Sequence, residues 1–124
     1  TFAFWARKSN IQKLKETYLD DKKRLGVGLV FHITPGNVPV NFAYSFAYSL
    51  LAGNANIVKV PSKDFAQIDL FCELADQLLN KAEYSNLQQS QVFIRYEAHN
   101  HITETFSTAS IKIFEVINMN WVKV

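Results

Sequence analysis

The sequence predicts an α/β fold, a parallel sheet of about four strands with helices on its faces. Three observations predict it. Short β-rich apolar runs alternate with helix-patterned segments along the chain, an order that calls for right-handed βαβ crossovers. The best-defined run, around Phe31, is apolar almost without interruption, as a strand covered on both faces is. The composition, 48% hydrophobic, 14% aromatic and 19% charged over 124 residues, suits one globular domain that buries about two thirds of its unfolded surface.

The chain opens Thr1-Phe2-Ala3-Phe4-Trp5, with no initiator methionine and no basic-then-apolar leader before it, and is read as a piece of a longer polypeptide. Ile11, Leu14, Tyr18 and Leu19 recur at helical spacing, so a helix is expected from Phe4 to Leu19, ending in the solvated run Asp20-Asp21-Lys22-Lys23-Arg24. Leu25 to Thr34 is the first strand. Thr34-Pro35-Gly36-Asn37-Val38-Pro39 must be a loop, because each residue before a proline is pushed out of helical conformation.

After Pro39 the chain repeats Phe42-Ala43-Tyr44-Ser45 as Phe46-Ala47-Tyr48-Ser49 and continues to Leu50-Leu51. Residues four apart align on a helix, so the echo is helix geometry: Phe42, Phe46 and Leu50 form one ridge, Ala43, Ala47 and Leu51 the next. The Tyr and Ser ridges are expected to be packed as well, with Gly53 as a left-handed stop. Asn56 to Val60 is a second strand closed by Pro61, and Ser62 is a candidate N-cap for a helix carrying Phe65, Ile68, Phe71, Cys72, Ala75, Leu78 and Leu79 on one stripe. Polar residues from Asn80 to Gln91 turn the chain back. Val92 to Tyr96 reads as a third strand, Ile102 to Ala109 as a short helix and Ile111 to Ile117 as a fourth strand. Residues 1–24 are thus an N-terminal helix and charged connection, 25–117 the α/β domain, and 118–124 a divergent or truncated tail.

Several functions are excluded or left without support. One Cys gives no disulfide scaffold and no zinc ribbon. A formal charge of +2 is ordinary and implies neither a nucleic-acid nor a membrane partner. The longest nearly apolar stretch, Val38 to Ala52, is shorter than the roughly 20 residues a bilayer span needs. The cytoplasm is the default compartment. No GxGxxG and no GxxxxGK[ST] is present, so nucleotide binding must rest on other residues. Cys72 falls mid-helix on an apolar stripe and reads as structural. His99 and His101 lack the further ligands that zinc requires, so no metal site is expected. His32 reads as a hydrogen-bonded core histidine.

Open α/β sheets bind ligands off the carboxyl ends of their strands, so the loop from Thr34 to Pro39 is where function belongs. Asn37, a carboxamide bracketed by prolines, can present its NH2 to a substrate oxygen as an oxyanion donor, or can merely close its own turn. Lys59 ends the second strand, where such sheets meet an adenosine ribose or its phosphate; alternatively it snorkels from a half-buried strand. Ser62 lies just beyond, as a cap or a contact.

Read together, Gly28-Leu29-Val30-Phe31-His32-Ile33-Thr34-Pro35-Gly36-Asn37-Val38-Pro39 and Leu50-Leu51-Ala52-Gly53-Asn54-Ala55-Asn56-Ile57-Val58-Lys59 resemble the coenzyme-domain core of the aldehyde dehydrogenase superfamily. Within it they are most similar to the acyl-CoA reductases of the bioluminescence type (the LuxC family), which supply long-chain fatty aldehydes. The resemblance runs from about Lys22 to Ile113. It implies a partial Rossmann-like coenzyme domain and an acyl-CoA or acyl-protein thioester as substrate. Asn37 matches the loop asparagine that holds the thioester oxygen. Ile33, Thr34, Pro35 and Gly36 match the backbone against which the nucleotide lies, and Lys59 matches the lysine that reaches the ribose. Ser62 stands where many NAD-preferring relatives carry glutamate, which removes repulsion against a 2′-phosphate, with Lys59 and Lys63 nearby to pair with it; NADPH is the expected coenzyme.

The same resemblance implies a nucleophilic cysteine in a later domain, which Cys72 does not match, and a Gly-containing loop after the fourth strand, which Val116 to Trp121 lacks. Acyl-transferase and acyl-protein synthetase subunits are the implied partners, and self-association is expected from an apolar strand edge at Ile111 to Val124. These residues alone are expected not to turn over substrate. The rival expectation is an inactive remnant that serves as a structural or interaction module.

Overall fold

The computed structural model describes residues 2–18, 25–97, 101–109 and 112–115. In chain order the elements are α1 (Phe2–Trp5), α2 (Lys8–Tyr18), β1 (Leu29–Ile33), α3 (Asn41–Leu51), β2 (Ala55–Lys59), α4 (Ala66–Leu79), a 3-10 turn (Ala82–Tyr84) running into α5 (Ser85–Gln88), β3 (Gln91–Ile94), α6 (Ile102–Ala109) and β4 (Lys112–Glu115). The strands form one sheet of order β3-β2-β1-β4, parallel at every pairing. This is the α/β parallel sheet with flanking helices that the sequence predicts.

β1 and β2 occupy the middle because neither has a polar face to give to solvent; the three central residues of each are buried. β3 is an edge strand, and Val92 on it is half exposed. Side chains alternate between two cores. Val58 packs with Phe42, Ala43, Phe46, Val60 and Ile68 beneath α3 and α4. On the opposite face Phe31, Ile57 and Tyr96 pack with Ile102 and Phe106 of α6. Phe71 of α4 anchors the first core, edge-on to Phe42 at 5.1 Å and to Phe93 at 6.0 Å.

The ends of α3 follow from its sequence. Ala52 ends it, Gly53 takes φ +81°, and the N–H groups of Gly53 and Asn54 return to the Leu50 and Ser49 carbonyls at 2.9 and 3.2 Å. This is a Schellman closure that needs a left-handed residue at Gly53.

Several expected boundaries are corrected. The N-terminal helix is two pieces: the Asn10 side chain donates to the Phe4 carbonyl at 2.8 Å, and the chain turns at Ala6 and Arg7. β1 starts at Leu29 rather than Leu25. Leu25 is 92% exposed, and the Val27 and Gly28 N–H groups bond to Asn54 Oδ1 instead of joining a ladder. α3 is not buried all round. Leu51 lies about 200° of helix rotation from buried Ser49 and is half exposed, as is Tyr48. On α4, Leu78 is half exposed while Ile68 is buried. Ser62 does not cap α4, whose N-cap is Phe65 with no side-chain bond. The turn-back between Asn80 and Gln91 holds the 3-10 turn and α5. Leu19 to Arg24, His99, and Val116 to Val124, including the glycine-free ending and Trp121, lie outside the described residues.

Candidate functional site

The strand register determines what meets at the carboxyl edge of the sheet. Lys59 is opposite Ile94 and Ile33 is opposite Glu115, and since His32 faces Val58, Ile33 and Lys59 end the two central strands side by side. The loop leaving Ile33 therefore emerges beside Lys59, at the end of the sheet where α/β proteins hold ligands. The strand order reverses between β1 and β4, which makes this edge the topological switch point.

Along the loop, Thr34 and Pro35 are half-buried and Gly36 and Asn37 are exposed, in a turn. Among the described residues the Asn37 carboxamide makes no hydrogen bond, and no non-glycine residue has positive φ. The marks of an asparagine closing its own turn are thus absent. A Cβ added at Gly36 would meet nothing within 4 Å, so the loop backbone is open to a ligand. Thr34 Oγ1 is buried with no hydrogen-bond partner among the described residues. An orphaned buried hydroxyl costs on the order of 1–3 kcal/mol, so its retention beside an open loop fits a polar ligand group.

Lys59 and Ser62 converge on a residue that sequence reasoning missed. The Lys59 ammonium stands over the Tyr96 ring, 4.6 Å from its centroid. Ser62 donates its hydroxyl to the Tyr96 carbonyl at 2.9 Å. The Tyr96 hydroxyl shares a 2.7 Å hydrogen bond with Thr103 of α6. The pattern ran Tyr96 into the third strand, but β3 ends at Ile94 and leaves Tyr96 in the segment between strand and helix. An aromatic residue just past a strand's carboxyl end was the available signal. No hydrogen bond joins Asn37 to Lys59 or Ser62.

The charges near Ser62 include some that the sequence did not reveal. Arg95 bonds Asp69 at 2.8 Å and lies 3.8 Å from Asp64, two residues after Ser62. These contacts hold the guanidinium in its charged form, above its ordinary range, with the hydrogen bond to Asp69 dominant. Lys63 lies over its own neighbour Phe65 at 5.3 Å.

Other candidates are structural. His32 is fully buried, with Nδ1 2.7 Å from Ser45 Oγ and Nε2 2.8 Å from Asn56 Oδ1. Burial pushes the Cys72 thiol up, a reactive site's opposite, with Arg95 partly opposing. Among the described residues no group of three or more His, Cys, Asp or Glu is placed to hold a metal, and no helix is long and apolar enough to cross a membrane. A depression of about 380 Å³ lies at the amino end of the sheet, between Gly26, Gly53, Asn54, Leu87 and Gln91. Asn54 and Gln91 there are bonded within the protein, and the depression is remote from the loop.

Comparison with curated proteins and with solved structures gives no match. A family model does match. The model described as acyl-CoA reductase (LuxC) covers residues 8–110, spanning α2, both central strands, the Thr34–Pro39 loop and α6, and on that match the chain belongs to the acyl-CoA reductase (LuxC) family.

Proposed function

We propose that the chain is the coenzyme-binding part of an NADPH-dependent reductase that converts an acyl-CoA or acyl-protein thioester to a long-chain fatty aldehyde. The observation that carries this reading is the pairing at one sheet edge of the Thr34–Asn37 loop with Lys59. The orphaned Thr34 hydroxyl and the open space at Gly36 suit a nucleotide lying along Ile33 to Gly36. Ile33 to Gly36 and Lys59 would hold NADPH there, and it would supply the hydride for reduction of the acyl carbon.

The chain's own residues bind and orient. Asn37 points no bond inward and is available to donate from Nδ2 to the acyl oxygen as negative charge builds on it, while the acyl group is carried by a cysteine outside this sequence. Lys59 supplies positive charge for the ribose end. Ser62 contributes neutrality rather than a bond, since its proton is already given to the Tyr96 carbonyl; an anionic side chain there would repel a 2′-phosphate. Acyl-transferase and acyl-protein synthetase subunits are the partners that fit this reaction.

Two measurements test the reading. Titration of NADPH with the full chain, followed by the emission of the bound coenzyme, should saturate; no saturable change leaves the fold as a structural or interaction module. In the complete reductase, Asn37→Ala should lower turnover about 100-fold or more with NADPH affinity unchanged, the magnitude of one oxyanion donor. An unchanged turnover removes Asn37 from the chemistry.

A further inference from the structure

Tyr96 is placed where three separate elements report on one another. Its ring is buried, 9% exposed, in the core beneath α6 with Phe31 and Ile57. Its hydroxyl is tied to Thr103 on α6, its carbonyl to Ser62 in the loop after β2, and its ring face lies under the Lys59 ammonium. The manner in which Lys59 is held matters. A carboxylate partner would neutralise the ammonium, whereas a ring face attracts it through the quadrupole and leaves its net charge intact for an incoming anion. Asp64, in the loop after β2, and Asp69 of α4 are drawn instead to Arg95.

We propose that Tyr96 is a positioning residue that holds Lys59 at the carboxyl edge of the sheet and thereby sets the preference for a dinucleotide carrying a 2′-phosphate. The inference rests on the coenzyme reading above and adds to it the residue through which Lys59 acts. It also explains why Ser62 bonds a main-chain oxygen: that bond holds the Tyr96 backbone against the loop that follows Lys59.

The test is a double-mutant cycle on the full chain, reading dissociation constants for NADPH and NADH from the emission of the bound reduced coenzymes, with folding checked by thermal melting. Tyr96→Leu should lower the NADPH-over-NADH preference about tenfold, the size of a partly desolvated cation–π contact, with NADH affinity little changed. Tyr96→Phe should keep the preference within about twofold, because the ring remains. In a Lys59→Met background, Tyr96→Leu should change the preference no further, an outcome that a merely structural role would not give. Equal weakening of both coenzymes, or the same loss with Lys59 absent, overturns the inference. If Tyr96→Leu does not fold, phenylalanine and its progressively fluorinated forms at position 96 replace it: a stepwise fall in preference supports the inference and a flat series overturns it. Failure of the unaltered chain to bind either coenzyme overturns the coenzyme reading and this inference with it; binding with a preference indifferent to residue 96 overturns this inference alone.

Discussion

The contacts of the His32 ring with Asn56 and Ser45 fix its chemistry. Asn56 donates its Nδ2 to Gln91 Oε1 at 2.7 Å and to the Asn54 carbonyl at 2.9 Å, so its Oδ1 must accept from His32 Nε2–H. Nδ1 is then the acceptor for the Ser45 hydroxyl at 2.7 Å. The imidazole is satisfied as the neutral tautomer, and burial lowers its pKa below the ordinary 6.5, the bond to Asn56 partly opposing. The unfolded chain therefore takes up a proton near pH 6.5 that the native state refuses. Stability is at its full value above that pH and falls as pH drops, until the depressed native value is passed. The urea midpoint at pH 5.5 should be lower than at pH 7.5, and NMR titration of the His32 ring should give a midpoint below 6.5; a ring titrating at or above 6.5 would contradict this. A core histidine was legible from an apolar strand. Its partners Ser45 and Asn56, 13 and 24 residues away, were not, because only the packing of α3 on the sheet brings them together.

At the scale of elements, type and order were legible where one pattern dominated. The Phe-Ala-Tyr-Ser echo gives α3, and the unbroken apolar run gives β1. Boundaries failed where side chains captured backbone groups. Asn10 on the Phe4 carbonyl splits the first helix, and Asn54 on Val27 and Gly28 delays β1; neither contact leaves a periodic trace. The same Asn54 contact defines a tight crossing. A Cβ at Gly26 would stand 2.5 Å from the Gly53 carbonyl oxygen and 2.7 Å from Asn54 Oδ1, the first of these main-chain and unable to step aside. Gly26→Ala should cost about 1–3 kcal/mol, the usual range for forced overpacking. Urea denaturation checks it: a midpoint equal to that of the unaltered chain would mean that the segment before β1 does not cross Gly53 this closely.

Across the whole molecule the sheet is unlike at its two ends. Toward the amino end, Ser49, Asn54, Asn56 and Gln91 are buried and stitched together by hydrogen bonds, and Asn56 carries the network up β1 to His32, one residue short of the carboxyl edge. Toward the carboxyl end, among the described residues, the loop has an orphaned hydroxyl and an uncommitted carboxamide, and beside it the Lys59 ammonium at the end of β2 rests on a ring face. Where every polar group is satisfied within the protein, that satisfaction contributes to stability and leaves nothing for a ligand; where groups are left over, the reverse holds. The position of the loop at this edge was legible, since alternation implies parallel strands whose carboxyl ends share one edge, but the strand order and the convergence of Lys59 and Ser62 on Tyr96 were not. The division makes a separable prediction. Asn56→Leu strips His32 Nε2–H, Gln91 Oε1 and the Asn54 carbonyl of a partner each, and should lower stability by about 1–3 kcal/mol or more. Asn56 lies three residues before Lys59, roughly 10 Å along β2, so the preference for NADPH over NADH should be unaltered and its change on Tyr96→Leu should be the same in either background. Paired urea melts and coenzyme titrations on the single and double variants measure both quantities. A preference that shifts with Asn56→Leu would mean that the buried polar layer reaches the binding edge, and that the two ends of the sheet are one coupled unit rather than a stabilising half and a functional half.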